Sequence, residues 1–236
     1  MLRLPLLLRR EEVLHFLGYP ETHNPPPRIE GRIGPALAEA RGLAAATGTY
    51  RHLPVMAASS LGLEPIAAAG LVIGLVTVGG SIERQVAEYL GTGDATGALL
   101  LDAAGSAAAE EAADHLGAII ANEDPEIGME GPPRNGPLAG RPADQASPAG
   151  EIEPASPVSC RISPGYGSWP LEAQRALLDL LPHARLGVSL SPAMLMVPRK
   201  SISFAMWLGA DARPIAGISG CARCQLGHCR YRRRTT

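Results

Sequence analysis

The sequence predicts an α+β fold, and three observations predict it. Segments with a helical apolar period come first and strand-like runs follow, without the regular βαβ alternation of a parallel sheet. Hydrophobic residues make up 46% of the 236 positions, enough for a sizeable core. A stretch of Pro, Gly, Ala and acidic residues with no apolar period, Glu123 to Pro157, reads as a flexible linker or insertion between residues 1–122 and 158–236.

The elements follow in order. Arg10 to Leu17 carries Val13, Leu14 and Leu17 at helical spacing. The prolines of GYPETHNPPPR end that helix, because proline lacks an amide donor and disfavours helix in the residue before it. A second helix is predicted from Ile29 to Ala46, with Ile33, Leu37, Ala40 and Leu43 on one side. GTYRHLPVMA, which begins at Gly48, reads as extended. The uncharged run from Pro65 to Ile82 has the length of a membrane span. Its glycines, its proline and the Gly79-Gly80-Ser81 turn leave instead Leu71 to Val78, a β-branched run suited to a buried strand.

Ser81 is placed as the cap of a helix running through Leu90, and GTGDATG leads into a long helix from Asp94 to Ala121. The small residues of that helix, Gly105 among them, allow another element to approach closely, while Asp102 and Glu110 are candidates to face a cleft. Gly79-Gly80-Ser81 and GTGDATG read as turns, since neither completes a nucleotide-binding fingerprint. Beyond the linker come a helix from Pro170 to Leu181, a strand from Arg185 to Ser191, a loop from Pro192 to Pro198 and a strand from Ser201 to Ala210.

A net charge of −2 hides an asymmetry: residues 1–159 hold 10 basic and 20 acidic side chains, and residues 160–236 hold 11 basic and 3 acidic ones. A basic C-terminal portion suits an anionic ligand or partner, or attraction to the acidic portion of the same chain. The same portion holds Tyr166, Trp169, Phe204, Trp207 and Tyr231, which concentrates rigid contact surface there. The apolar stretch at the N-terminus is too short for a signal-peptide core and has a charged cluster behind it, so a cytoplasmic protein is expected.

All four cysteines, Cys160, Cys221, Cys224 and Cys229, also lie in this portion. The spacing in CARCQLGHC lets thiolates wrap one soft metal ion or cluster, with Cys160 or His228 as a fourth ligand. Zinc, an iron–sulfur cluster and free thiols all remain open from spacing alone. The arginines of CRYRRR offer a dock for an acidic protein, and no nucleic-acid reading module accompanies them.

One stretch carries recognisable chemistry, CRISPGYGSWPLEAQRALLDLL from Cys160 to Leu181. Pro164 fixes a backbone angle, Gly165 and Gly167 permit sharp turns, and Trp169-Pro170 opens the following helix with proline at a favoured position. The turn would present Arg161, Tyr166 and backbone amides together. Arginine holds a carboxylate in bidentate fashion and an aromatic ring faces a cation, so a zwitterionic, sulfonium-bearing ligand suits the mixture.

That stretch, together with LGVSLSPAMLMVPRKSISFAMWLGA and, more loosely, EEVLHFLGY and LLLDAAGSAAAEEAADHL, resembles the activation (reactivation) domain of cobalamin-dependent methionine synthase, especially in its stand-alone form. The resemblance implies helices around a central, mostly antiparallel sheet. It also implies that S-adenosylmethionine binds at Arg161, Pro164, Gly165, Tyr166 and Gly167, with Arg161 on the methionine carboxylate and with Lys200 and Ser201 as further contacts. The implied role is accessory to methyl transfer in methionine biosynthesis: reductive remethylation of a cobalamin held by a corrinoid protein or methionine synthase core, with a flavodoxin-like or other electron donor. The alternative is a non-catalytic docking protein for a corrinoid protein that carries zinc or an iron–sulfur cluster on Cys160, Cys221, Cys224 and Cys229. Neither nucleic acid nor membrane is an expected partner. Where the family has a Thr-Glu-Ser-like stretch this chain has Ser191-Pro192-Ala193, and no tyrosine pair stands near Pro214-Ile215. The family's Asp-x-His-x-x-Gly cobalamin signature is also missing, because Asp114 and His115 are adjacent, so a corrinoid would arrive on another protein.

Overall fold

The computed structural model describes residues 1–19, 24–64, 67–122, 159 and 161–209. The linker and the four cysteines lie outside the described residues. The elements are β1 (Leu2–Arg3), α1 (Arg10–Leu17), α2 (Pro27–Leu43), β2 (Thr47–Leu53), β3 (Gly70–Thr77), α3 (Ser81–Thr92), α4 (Ala95–Ala121), α5 (Ala173–Asp179), β4 (Ser189–Leu190), β5 (Met196–Val197) and β6 (Ser201–Leu208). The fold is α+β: an antiparallel four-stranded sheet in the order β1-β2-β3-β6, with helices on it and a separate two-stranded pair, β4-β5.

The sheet joins the two portions of the chain. β3 pairs with β2 from Leu71↔Leu53 to Thr77↔Thr47, and with β6 from Gly70↔Leu208 to Thr77↔Ser201, so strands from either side of the linker share one ladder. All eight residues of β3 are buried, which is why it reads as a continuous apolar run rather than an alternating one. Successive side chains point to opposite faces of a strand. Val72 and Val76 of β3, with Phe204, Met206 and Leu208 of β6, therefore join one core, and Leu71, Ile73 and Leu75, with Ala205 and Trp207, join another. Gly74 is required between them, because the ring of Phe204 occupies the place a Cβ would take.

The first core lies under α4. This helix packs on β2, β3 and β6 and is itself flanked by α1, α2 and α3. Alanines at 104, 108 and 112 are fully buried along it, as are Leu101 and Leu116. At Gly105 an added Cβ would lie 2.8 Å from Ile82 of α3, so this glycine sets how closely the two helices approach. The second core is irregular. A 3-10 helix at Val55–Leu61, α5 and a 3-10 turn at His183–Leu186 cover the other sheet face, joined through Trp169, Leu177, Leu178 and Trp207.

Several boundaries differ from the sequence expectation. α2 starts at Pro27, which takes the first helical turn where its missing amide costs nothing, and ends at Leu43 because Ala44 is already extended. Of the extended segment only Gly48 to Leu53 is strand, β2 beginning one residue earlier at Thr47; Pro54 ends it and Val55 to Leu61 turns into a 3-10 helix. Ser81 is not a cap but the first residue of α3, its Oγ accepting a bond from Arg84 Nη2 at 2.9 Å. Asp94 does cap α4, accepting from Gly97 N at 2.9 Å. The helix after the turn is confined to α5, since residues 170–172 accept bonds of the tighter i to i+3 type from Ala173, Gln174 and Arg175. The predicted strand at 185–191 is mostly turn: Arg185 and Leu186 close a 3-10 turn, Gly187 takes φ 69°, and only Ser189 and Leu190 pair, with β5. No helix among the described residues is long and apolar enough to cross a membrane, and Gly70–Thr77 is a buried strand.

Candidate functional site

Ser159 and residues 161–163 lie alongside β6. Ile162 and Ala205 exchange backbone bonds of 3.0 and 2.8 Å, and Ser159 N donates to Trp207 O at 2.9 Å. Ile162 enters the second core, so its neighbour Arg161 turns to the opposite face, toward α4. There its Nη2 donates to Asp114 Oδ1 at 2.5 Å and to Glu110 Oε2 at 3.2 Å. Its Cζ lies 5.6 Å from the centre of the Phe204 ring, a cation–π distance. The aliphatic stem of Arg161 lies against α4 at Gly117, where an added Cβ would sit 3.6 Å from its Cδ.

Lys200 reaches the same helix from the start of β6. Its Nζ is 2.8 Å from Asp102 Oδ1 and donates to Ser106 Oγ at 2.8 Å, while its backbone N donates to Glu83 Oε1 at 3.0 Å. Asp102, Ser106, Glu110 and Asp114 recur every four residues, which in a helix places them on one row. The result is a polar seam along α4 into which the two cations from beyond the linker dock. Three carboxylates of that row meet two cations, and the seam is half open to solvent, Lys200 being 11% and Asp114 55% exposed at the side chain.

Tyr166 stands elsewhere, on the surface of the turn, 66% exposed. That turn is rigid. Pro164 is buried, Gly165 and Gly167 take φ 90° and 58°, and Gly165 N donates to Trp169 O at 2.9 Å. Trp169, 2% exposed, anchors it by donating from Nε1 to Leu61 O at 2.6 Å. Ser201 has a structural task, its Oγ bonding Thr77 Oγ1 at 2.8 Å and Pro198 O at 2.7 Å.

The structure thus brings Arg161 and Lys200 of the predicted set onto one helix, together with Asp102 and Glu110. Tyr166 is displayed outward, and the guanidinium already holds two carboxylates instead of standing open beside the phenol. Ser106 and Asp114 are the seam residues that sequence reading missed, although their four-residue interval with Asp102 and Glu110 is visible in LLLDAAGSAAAEEAADHL. Cys160, Cys221, Cys224 and Cys229 lie outside the described residues, and among the described residues no group of three or more His, Cys, Asp or Glu side chains is placed to hold a metal ion. No protein-family model matches the chain and no curated protein matches it, so a functional reading rests on these residues and their geometry.

Proposed function

We propose that this chain is a cytoplasmic accessory protein of cobalamin-dependent methyl transfer, with a fold of the methionine synthase activation-domain kind, which binds S-adenosylmethionine and supports reductive remethylation of a corrinoid carried by a partner. The observation that supports this reading is the turn at residues 163–169. Two glycines in left-handed conformations, a buried proline and an anchored tryptophan hold a single aromatic side chain outward at a fixed position beside an arginine-bearing segment.

The residues fit the ligand in part. Both described bonds of Arg161 leave from Nη2, the nitrogen common to both carboxylate-binding edges of a guanidinium, so a ligand carboxylate takes a bidentate hold only by displacing Glu110 or Asp114. The Tyr166 ring offers a face to a sulfonium. S-adenosylmethionine supplies an activated methyl group when bound; the contribution of this chain is to hold it in one orientation, so that a bimolecular encounter becomes effectively unimolecular. Electrons come from a flavodoxin-like or other donor.

A second reading is favoured by the two carboxylates already on Arg161: a docking protein for a corrinoid protein, carrying zinc or an iron–sulfur cluster on its cysteines, without S-adenosylmethionine chemistry. Calorimetry separates the two. Binding of S-adenosylmethionine by the wild type that Arg161→Ala abolishes supports the first, and no heat at high ligand concentration removes it. For the second, anaerobically purified protein contains iron or zinc that Cys224→Ser releases; a metal-free protein removes it.

A further inference from the structure

The outer sides of α5 and of the β4–β5 hairpin are joined into one strip. Gln174 of α5 is buried, and its Nε2 donates to Met194 O at 3.1 Å, which ties the helix to the tip of the hairpin. Met194 holds φ 60°, a left-handed conformation that costs a non-glycine residue free energy. Ser191 closes the tip, its N donating to Leu195 O at 2.9 Å and its O accepting from Met194 N at 3.0 Å. Beyond this fixed tip burial alternates: Met196 packs on the second core, while Leu195, 57% exposed, Val197 and Arg199 stand outward. On the helix, Glu172, Arg175 and Asp179 recur at the spacing of one side and are exposed, as is Leu171 before them.

This strip combines apolar surface with both signs of charge. Arg175 and Arg199 are its cations and Glu172 and Asp179 its anions. None of the four has a side-chain hydrogen bond or ion pair among the described residues, although Arg175 lies within helical reach of both carboxylates. An anionic lipid surface or an acidic protein would meet two carboxylates here, and a basic partner two guanidinium groups. A surface of the same mixture suits the strip better, and a second copy of this chain has one. In a two-fold contact every pairing is made twice, so a patch has only to be complementary to itself. We propose that two copies of this chain associate through this strip about a two-fold axis, with Leu171, Leu195 and Val197 of each copy buried against the other. Glu172 and Arg175 lie one turn apart, so an antiparallel crossing of the two helices at that turn sets each Arg175 on the Glu172 of the other copy. Such exposed pairs fix register more than they add affinity. The strip falls short of the roughly 20–30 residues a side of a standard interface, so the dimer is a weak one, with a dissociation constant of about 10–100 µM. No ligand enters this contact, and it holds or fails independently of the function proposed above.

The test is sedimentation equilibrium of the full chain from about 1 µM to about 500 µM, a range that brackets that constant. The expected result is a reversible monomer–dimer equilibrium that Leu195→Asp and Arg175→Glu each weaken about tenfold, the first by setting a charge against apolar surface and the second by setting like charges together. Glu172→Arg alone weakens it too. An equimolar mixture of the Glu172→Arg and Arg175→Glu chains restores association as a mixed dimer, which a general loss of fold or solubility would not do. Arg28→Glu, exposed on α2 at the other face of the sheet, leaves the equilibrium unchanged. Circular dichroism establishes that each variant is folded. A chain that is monomeric throughout the range overturns the proposal, and so does a dimer that Leu195→Asp leaves intact, since its contact then lies elsewhere. A mixture that stays monomeric overturns the two-fold pairing of Arg175 with Glu172. A monomer that sediments with phosphatidylglycerol vesicles, and ceases to in Leu195→Asp, also overturns the proposal and gives the strip to lipid.

Discussion

The two faces of the central sheet are packed by opposite means. On the helical face, alanines and Gly105 let α4 lie close to its neighbours, and contact is made by many small side chains. On the other face, short 3-10 segments and α5 are gathered around two tryptophans, both at 2% exposure or less. Close approach through small residues fails when one is enlarged, and cover held by a few large rings fails when one is truncated. The candidate site takes one residue from each regime, with Arg161 docked against the small-residue helix and Tyr166 on the tryptophan-anchored turn.

The largest break in that contrast is expected from Trp169→Ala, which empties the second core and removes the bond to Leu61; about 3–5 kcal/mol of stability is lost, read from denaturant unfolding. Tyr166 presentation goes with it, so the S-adenosylmethionine binding proposed above is expected to weaken even where the protein stays folded. On the helical face the sensitive change runs the other way. Gly105→Ala gains helix propensity of about 1 kcal/mol but drives a Cβ to 2.8 Å from the fully buried Ile82, so a net loss of about 1 kcal/mol is expected. Gly31→Ala in α2, where nothing lies within 4 Å, is the control and is expected to stabilise.

A finer comparison sets the two tryptophans against each other. Trp169 Nε1 has its partner in Leu61 O, whereas Trp207 Nε1 is buried without a hydrogen bond among the described residues. Phenylalanine in place of Trp169 forfeits a bond and leaves a carbonyl short, while in place of Trp207 it relieves an unmet donor. The first substitution is expected to cost about 1 kcal/mol more than the second.

The smallest effect is acid weakening of the helical layer. Arg32 beside Asp94, helped by the Gly97 amide, holds that carboxyl below its ordinary value, and Arg10 does the same to Glu30. A carboxyl lowered in the folded state contributes stability that is present above its unfolded pKa and lost as pH falls through the folded one. Melting temperature should therefore drop below the ordinary carboxylate range, and Asp94→Asn should flatten part of the drop. Both groups are solvent-exposed, so the change is a shallow one.

The contrast also explains what the sequence made legible. α1, α3, α4, β3 and β6 could be placed because each has a sustained period or an unbroken apolar run, and the α+β class followed from their order. The second face could not be placed well. Arg185 to Ser191 reads as a strand by composition, yet Gly187 in a left-handed conformation and the His183–Leu186 turn confine pairing to two residues. Val55 to Leu61 has no helical stripe that distinguishes it from an extended segment. In the site, the turn glycines were legible because positive φ demands them. The docking of Arg161 and Lys200 on α4 was not, because it joins residues that lie 47 and more positions apart and depends on which face of a strand Ile162 occupies.

Thr77 and Ser201 bond across 124 positions, so β3 gains its second neighbour only when β6 has been made. At roughly 5–20 residues per second of synthesis that delay is on the order of 6–25 s. For that interval a strand whose residues are all buried in the finished fold has a bare ladder edge, the kind of template on which chains join one another. Production of this protein should accordingly favour slow expression at low temperature and early chaperone capture, and a fragment ending before residue 201 should collect in inclusion bodies.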